Sequence, residues 1–416
     1  MRDGASLAAD VWLSKERAPA IVVMTPYDRT IWKRPLGGDY AWVVVDWRGF
    51  HGSKERKAER RKRGEDGFDT VEWTAAQPWC DGNVGMWGPS ALGRIQYLTA
   101  MEQPPHLRCC VPVVASMGNR YEQYYWGGVL RQEYVDMFAK LGFNSAPAIR
   151  EHRTHDAYWK ESARHEGVGR IRVPMLLISG WYDVWVQGAM ETFAALQAAA
   201  AAPHRLVVGP WGHYAVGRET QGGRRHPNAA GAAQAEAEAF FARHLLGETR
   251  TMATVRTYEI GSERWDDEMV GTESSVLPVR SESIVHDPLN PVRTIGGSNL
   301  DPTLGIGPYD QREILERPDV FVTAWSGTVR VSGRARLELA VRADGPFDLH
   351  ARLCDGSMLI CDTVQRCEGS PVVLTFPPVR IQTDRLRLVL AGSNHPRYEL
   401  NPHAGRLEIV SGELRT

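Results

Sequence analysis

Three residues able to run acyl-transfer chemistry follow apolar runs of this chain, in the order Ser90, Asp183, His213. A serine hydroxyl is a poor nucleophile until a neutral imidazole accepts its proton in the transition state. That imidazole needs a carboxylate behind it, to fix its tautomer and to stabilise the imidazolium that forms. The tetrahedral oxyanion needs about two hydrogen-bond donors in a dry site. Two are candidates here: the backbone N–H of Ala91, which follows the serine, and the phenol of Tyr27, just past another apolar run. Each residue has a duller explanation when taken singly. An aspartate after a strand often caps a helix, and a loop histidine is often merely solvated. The serine-acid-histidine order on successive strand ends is that of α/β-hydrolase triads, and this coincidence argues for catalysis.

The elements that would position these side chains can be read around them. Asn83–Gly93 is written as a strand, a sharp turn and a helix start, with Ser90 at the turn. A serine lifted there sits at a helix N-terminus, where developing negative charge is favoured. Gly88 and Gly93 leave room for backbone to pass backbone, although Leu92 stands where the common G-x-S-x-G pattern has its last glycine. Ala20–Thr25 and Ala41–Asp46 are continuous apolar runs, as expected of parallel strands covered on both faces. They stop at Pro26 and before Gly49, at the strand ends where open α/β sheets build their sites. Glu65–Gln77 has the period of an amphipathic helix; Arg108–Ala115, Val173–Gly180 and Arg205–Gly209 read as further strands, and Met190–Ala202 and Pro227–Leu246 as helices.

Residues 119–170 are rich in Tyr, Trp, Arg and His, with helical spacing around Tyr134–Phe138, and read as an inserted lid. Tyr124, Tyr125 and Trp126, with Trp181 and Trp185 from the core, are candidate walls of an apolar acyl pocket. From Thr249 the pattern changes to short alternating runs between Gly, Pro and Asp turns, such as Arg334–Val341, Asp348–Leu353 and Arg385–Leu390. Such spacing predicts a β-sandwich or jelly roll. The predicted class is α/β: an α/β-hydrolase core in two parts (1–118 and 171–248), a helical cap (119–170) and a C-terminal jelly-roll β-domain (249–416).

The 49 Lys and Arg nearly balance the 50 Asp and Glu, so nothing in the overall charge points to nucleic acid or an anionic membrane. The basic run Lys54–Arg63 has no interleaved aromatics to stack bases and reads as solvated surface. No apolar run is long enough to span a bilayer, and Met1–Gly4 lacks the basic-then-apolar layout of a signal peptide. The six cysteines show no CxxC spacing, as expected of reduced thiols in the cytoplasm rather than a disulfide framework or zinc site. A small-molecule acyl substrate is the expected partner, and self-association is left open.

Several motifs together carry a specific resemblance. Met1-Arg-Asp-Gly4, Thr25-Pro-Tyr27, Asp46-Trp-Arg-Gly49, Gly64-Glu-Asp-Gly67, Pro78-Trp-Cys-Asp-Gly82, Gly180-Trp-Tyr-Asp183 and Gly209-Pro-Trp-Gly-His213 resemble the CocE/NonD family of acyl hydrolases, as do Tyr309-Asp-Gln-Arg312 and Ser393-Asn-His-Pro-Arg-Tyr398. That family includes cocaine-esterase-like enzymes, α-amino-acid ester hydrolases, glutaryl-cephalosporin acylases and, more distantly, X-prolyl dipeptidyl peptidases. The resemblance implies serine acyl-enzyme chemistry without a metal or organic cofactor. It implies Ser90 as nucleophile, Asp183 as acid, His213 as base, and Tyr27 and Ala91 as oxyanion donors. The family usually writes Gly-Gly-Ser-Tyr-x-Gly where this chain has Gly88-Pro-Ser-Ala-Leu-Gly93, which reshapes the pocket floor. Relatives that bind α-amino groups do so with an acidic cluster; Glu133 and Asp136 are the cap's candidates, and they read as ordinary helix-surface residues. The readings that stand beside a hydrolase of small esters or activated amides are an X-Pro dipeptidyl peptidase or amino-acid ester hydrolase, an acyltransferase or cyclase, and a non-catalytic binding protein.

Overall fold

The computed structural model describes residues 1–32, 36–54, 63–118, 120–143, 145–163, 167–271 and 275–416, with only the backbone at 162–163. The central runs of apolar residues form strands because both of their faces are covered. β2 (Ala18–Thr25) and β3 (Ala41–Asp46) are buried along their whole length. β1 (Ala9–Trp12) lies antiparallel along the β3 edge. α1 (Arg63–Ala75) carries Glu65 and Asp66 in its first turn, complementing the helix dipole. β4 (Cys80–Pro89), α2 (Ala91–Met101) and β5 (Leu107–Val113) follow. Gly67 lets α1 lie directly on α2: a Cβ there would stand 1.8 Å from Thr99 Oγ1.

The chain then leaves the sheet. Four helices, α3 (Tyr121–Tyr124), α4 (Gln132–Lys140), α5 (Ala146–Glu151) and α6 (Ala157–Ala163), and a small hairpin of β6 (Tyr125–Trp126) and β7 (Val129–Leu130) form the expected helical insert. Its aromatic richness builds a small core of its own, in which Tyr124, Tyr125, Leu130, Tyr134, Ile149 and Trp159 pack together. β8 (Leu176–Tyr182) returns to the sheet, followed by α7 (Val186–Ala199) and β9 (Arg205–Gly212). After the β10–β11 hairpin (Thr220–Gln221, Arg224–Arg225), the helix expected over 227–246 divides. Pro227–Ala229 is a single 3-10 turn, and α8 (Ala232–Leu245) starts after Gly231, whose φ of 70° breaks the run.

The core sheet does not stop at residue 248, and the expected boundary at 249 is corrected here. β12 (Val255–Glu259) pairs parallel with β9, and β13 (Arg264–Asp266) pairs antiparallel with β12. The resulting nine-stranded sheet runs β1-β3-β2-β4-β5-β8-β9-β12-β13. β13 is a short edge strand, and short alternating runs look the same whether they pair with a parallel sheet or a sandwich. The partner strand decides, and periodicity does not carry that information.

The remaining chain forms the expected antiparallel β-sandwich. One sheet gathers Val276–Val279, Glu282–His286, Gly405–Arg415, Arg336–Ala343 and Val372–Thr375; another orders Phe321–Ala324, Leu386–Ala391, Phe347–Asp355 and Met358–Cys367. Leu337, Leu339 and Val341 alternate inward as a half-buried strand requires. All six cysteines are free, and five of them are buried. Residues 55–62 of the basic run lie outside the described residues. Among the described residues, no helix is long and apolar enough to cross a membrane.

Candidate active site

Ser90 occupies the turn between β4 and α2 with φ 58° and ψ −123°, a conformation that L side chains rarely adopt. Holding it there costs on the order of 1–3 kcal/mol, which the surrounding structure must supply. The turn closes because its glycines have no side chains. A Cβ at Gly88, where φ is +152°, would lie 2.4 Å from Leu92 Cβ, and one at Gly93 would lie 2.6 Å from Ala115 Cβ. The Ser90 N–H donates to Val113 O of the adjacent β5, while its carbonyl accepts from Gly93 and Arg94 and so starts α2. Leu92, out of pattern at the sequence level, is fully buried under the turn. Ala91 is the first residue of α2, so its N–H has no carbonyl one turn earlier to bond.

Asp183 and His213 stand just past β8 and β9, whose neighbouring registers bring them together. His213 Nδ1 lies 2.8 Å from Asp183 Oδ1, and both residues are buried. A carboxylate so placed fixes the orientation of the imidazole, with Nε2 facing away from it. The second oxygen, Oδ2, is held more loosely, by Ser179 Oγ at 3.4 Å and the Trp185 N–H at 3.3 Å. The edge of Trp185 packs on the imidazole, with ring centres 4.8 Å apart. Tyr27 sits past the end of β2, its N–H donating to Thr25 Oγ1, and its phenol shares a hydrogen bond with the Ser90 side chain. Burial pushes the Tyr27 pKa up and the Ser90 hydrogen bond opposes this; the net rise keeps the phenol a donor.

Ser90, Ala91, Tyr27 and His213 all face one cavity of about 1110 Å³. Of the aromatics expected around it, Tyr124 and Trp185 do line it. Tyr125, Trp126 and Trp181 do not, and these three assignments are corrected. Tyr125 stacks on Tyr121 inside the cap and donates to Ile149 O. Trp126 reaches the sandwich and donates to Thr363 Oγ1. Trp181 is buried under the sheet edge and donates to Tyr258 O. The walls that sequence reading missed are mainly Trp32, Trp87, Phe138, Phe143 and Tyr214. Two of these had a local signal, since Tyr214 follows His213 and Trp87 precedes the serine turn. Tyr214 donates to Leu300 O, and burial, with Tyr27 and nearby carboxylates adding to it, pushes its pKa up to about 12.

Glu133 is a further correction. It is not on the helix surface: its buried carboxylate accepts the Leu300 and Asp301 N–H groups at 3.0 and 3.1 Å, and burial raises its pKa. Asp136 pairs with Arg150 at the exposed surface, as a helix-surface residue should. Neither residue lines the cavity.

A strained serine at a strand–helix turn, a buried Asp-His pair on the next strand ends and the sheet order define a serine hydrolase of the α/β-hydrolase fold. A model of the family described as X-Pro dipeptidyl-peptidase (S15 family) matches residues 3–148 and 144–215, half of the chain, and the chain belongs to that family. Cocaine esterase of Rhodococcus sp. (strain MB1 Bresler) is 27% identical over 534 aligned residues, covering 97% of this chain and 91% of that protein. Among solved structures, an α-amino acid ester hydrolase superposes with a TM-score of 0.85 at 19% identity, covering 100% of this chain and 94% of that one. A CocE/NonD family hydrolase from Staphylococcus aureus gives 0.69 at 18% identity, covering 100% and 91%. The resemblance to CocE/NonD hydrolases read from the motifs therefore extends over the whole chain.

Proposed function

We propose that this enzyme hydrolyses small-molecule esters of bulky, largely apolar acids, with Ser90 as nucleophile, His213 as base and Asp183 as the acid behind it. Ser90 Oγ attacks the acyl carbon while its proton passes to His213 Nε2. The carbonyl oxygen becomes the oxyanion, held by the Ala91 N–H and the Tyr27 phenol. The ester C–O bond then breaks, and the alcohol leaves with the proton from His213. Water, deprotonated by the same imidazole, attacks the acyl-enzyme and returns Ser90 and the free acid. No cofactor enters these steps.

One observation carries the substrate assignment. The cavity beside Ser90 is walled by aromatic and aliphatic side chains, and no Asp or Glu stands among the described residues that line it. Its charged lining residues are Arg63, Arg94 and Arg218. A peptidase or amino-acid ester hydrolase must hold a substrate ammonium, and a desolvated ammonium needs a facing carboxylate. No carboxylate stands among the described residues of this wall to do so, which favours an acyl group without a free α-amine. The test is a pair of p-nitrophenyl esters of phenylalanine, one N-acetylated and one with its amine free. The acetylated ester should be turned over the faster; a strong preference for the free amine would return the peptidase reading. The volume slightly exceeds the roughly 300–1,000 Å³ of ordinary ligand pockets, so a second molecule can sit beside the acyl group. Acyl transfer to an added alcohol, seen as a new ester by mass spectrometry, is the second reading this supports.

A further inference from the structure

The large cavity does not include Asp183 among its walls, but a second, small one does. It measures about 20 Å³, and three parts of the chain meet around it. Asp183 and Gln187 come from the region after β8, Arg131 from the cap, and Asp362 and Arg397 from the sandwich. Arg397 belongs to the segment Ser393–Tyr398, a motif of the resemblance for which the proposed chemistry has no use.

These groups are deeply buried: Arg131, Asp362 and Arg397 are 3%, 2% and 3% exposed. Arg397 Nε lies 2.8 Å from Asp362 Oδ2, its NH1 donates to Asn299 Oδ1, and Asn394 donates to the same Asp362 oxygen. Yet Asp362 Oδ1, Arg131 Nε and Gln187 Oε1 are buried with no hydrogen-bond partner among the described residues. Asp183 Oδ2 has only its two long contacts among the described residues. Buried polar atoms left this way are costly, and a polar space of this size holds one water with two to four partners. The residues that carry these four atoms all line the small cavity.

We propose that a water in this cavity couples the Asp183 carboxylate to the Arg397–Asp362 pair, which makes Arg397 and Asp362 positioning residues for the Asp183–His213 pair. The inference rests on the roles given above to Asp183 and His213. The sandwich then serves catalysis: its buried charges fix the second oxygen of the acid and set the field at the imidazole. The charged groups around the acid are Arg131, Arg397 and Asp362, with Glu133 3.8 Å from Arg131 and Arg352 interacting electrostatically with Asp362. The imidazole itself touches the rings of Trp185 and Tyr214 and shares the large cavity with Tyr27.

The experiment is the pH profile of kcat/KM for a p-nitrophenyl ester with wild type, Arg397→Gln, Asp362→Asn, the double variant and Gln187→Met. Removing a positive charge near the pair favours the imidazolium, so Arg397→Gln moves the acidic limb to higher pH. Removing a negative charge disfavours it, so Asp362→Asn moves the limb to lower pH. Each shift should be roughly 0.5–1 pH unit, the size of one partly screened charge. The double variant should return toward wild type, with KM nearly constant throughout. Gln187→Met, which keeps every charge, should lower kcat several-fold without moving KM, and it tests the water where a charge variant fails to fold. Folded charge variants with unmoved limbs, or Gln187→Met with wild-type kcat, overturn the proposal. Fluorophosphonate labelling of the wild type separates the two readings: loss of labelling on Ser90→Ala with unmoved limbs defeats only this inference, whereas a wild type that is not labelled defeats the nucleophile as well.

Discussion

The serine turn and the wall of the cavity face each other across one space but are built in opposite ways. The turn is local: Gly88, Ser90, Leu92 and Gly93 lie within six residues, and its geometry follows from which of them lack side chains. The wall is assembled from far apart, with Trp32 from the loop after β2, Phe138 from α4 and Leu300 from the segment between the sandwich strands Glu282–His286 and Phe321–Ala324. The turn stores backbone strain at Ser90, whereas the wall relies on apolar contact. On the proposed mechanism a stiff local device holds the chemistry, and side chains that substitution can reshape hold the selectivity.

The contrast is best attacked first at the turn. Ser90→Ala should remove ester turnover by roughly 10⁶-fold, down to the residual level that other groups sustain, with an unchanged circular dichroism spectrum; residual rates near wild type would make the turn an ornament. Asp183→Asn should lower kcat by roughly 10⁴-fold, because the amide allows the wrong imidazole tautomer. Tyr27→Phe should lower kcat by roughly 10²–10³-fold with KM little changed, the signature of a donor used only in the transition state. A loss under about threefold in that variant would leave the Ala91 N–H without its proposed companion.

The wall should respond differently. Phe138→Ala should raise KM for an aryl-acid ester by roughly tenfold, as lost apolar contact implies, and leave an acetyl ester almost untouched. Equal effects on both esters would mean that the residue supports the turn rather than the substrate. Glu133→Gln, at the seam of cap and sandwich, should keep the rate within about threefold while destabilising the fold by about 1–3 kcal/mol, read as a lower Tm. A collapse in rate at full stability would move Glu133 into the site.

The parts of the molecule legible in the sequence are those with a short-range signature. β2, β3, β5, β8 and β9 could be read because strands buried on both faces are written as unbroken apolar runs. The sandwich was legible from its alternation. The boundary at 249 was not, because β12 and β13 differ from sandwich strands only in their pairing partners. Among the aromatics the same limit appears: Tyr124 and Tyr125 are neighbours in the same richly aromatic stretch, yet one faces the cavity and the other Ile149 O. Glu133 had the spacing of a surface residue until Leu300 and Asp301 arrived from the far end of the chain to cover it.

The sequence by itself determined the strands, the serine turn and the order of the three chemical residues, since these depend on side-chain size and period over a few residues. Only the tertiary structure decided that Asp183 meets His213 at 2.8 Å, that the cavity presents guanidinium groups rather than carboxylates among its described walls, and that the sandwich reaches the back of the acid. Those facts depend on which distant segments come to share a boundary, and a contact between distant segments leaves no periodic mark on either of them.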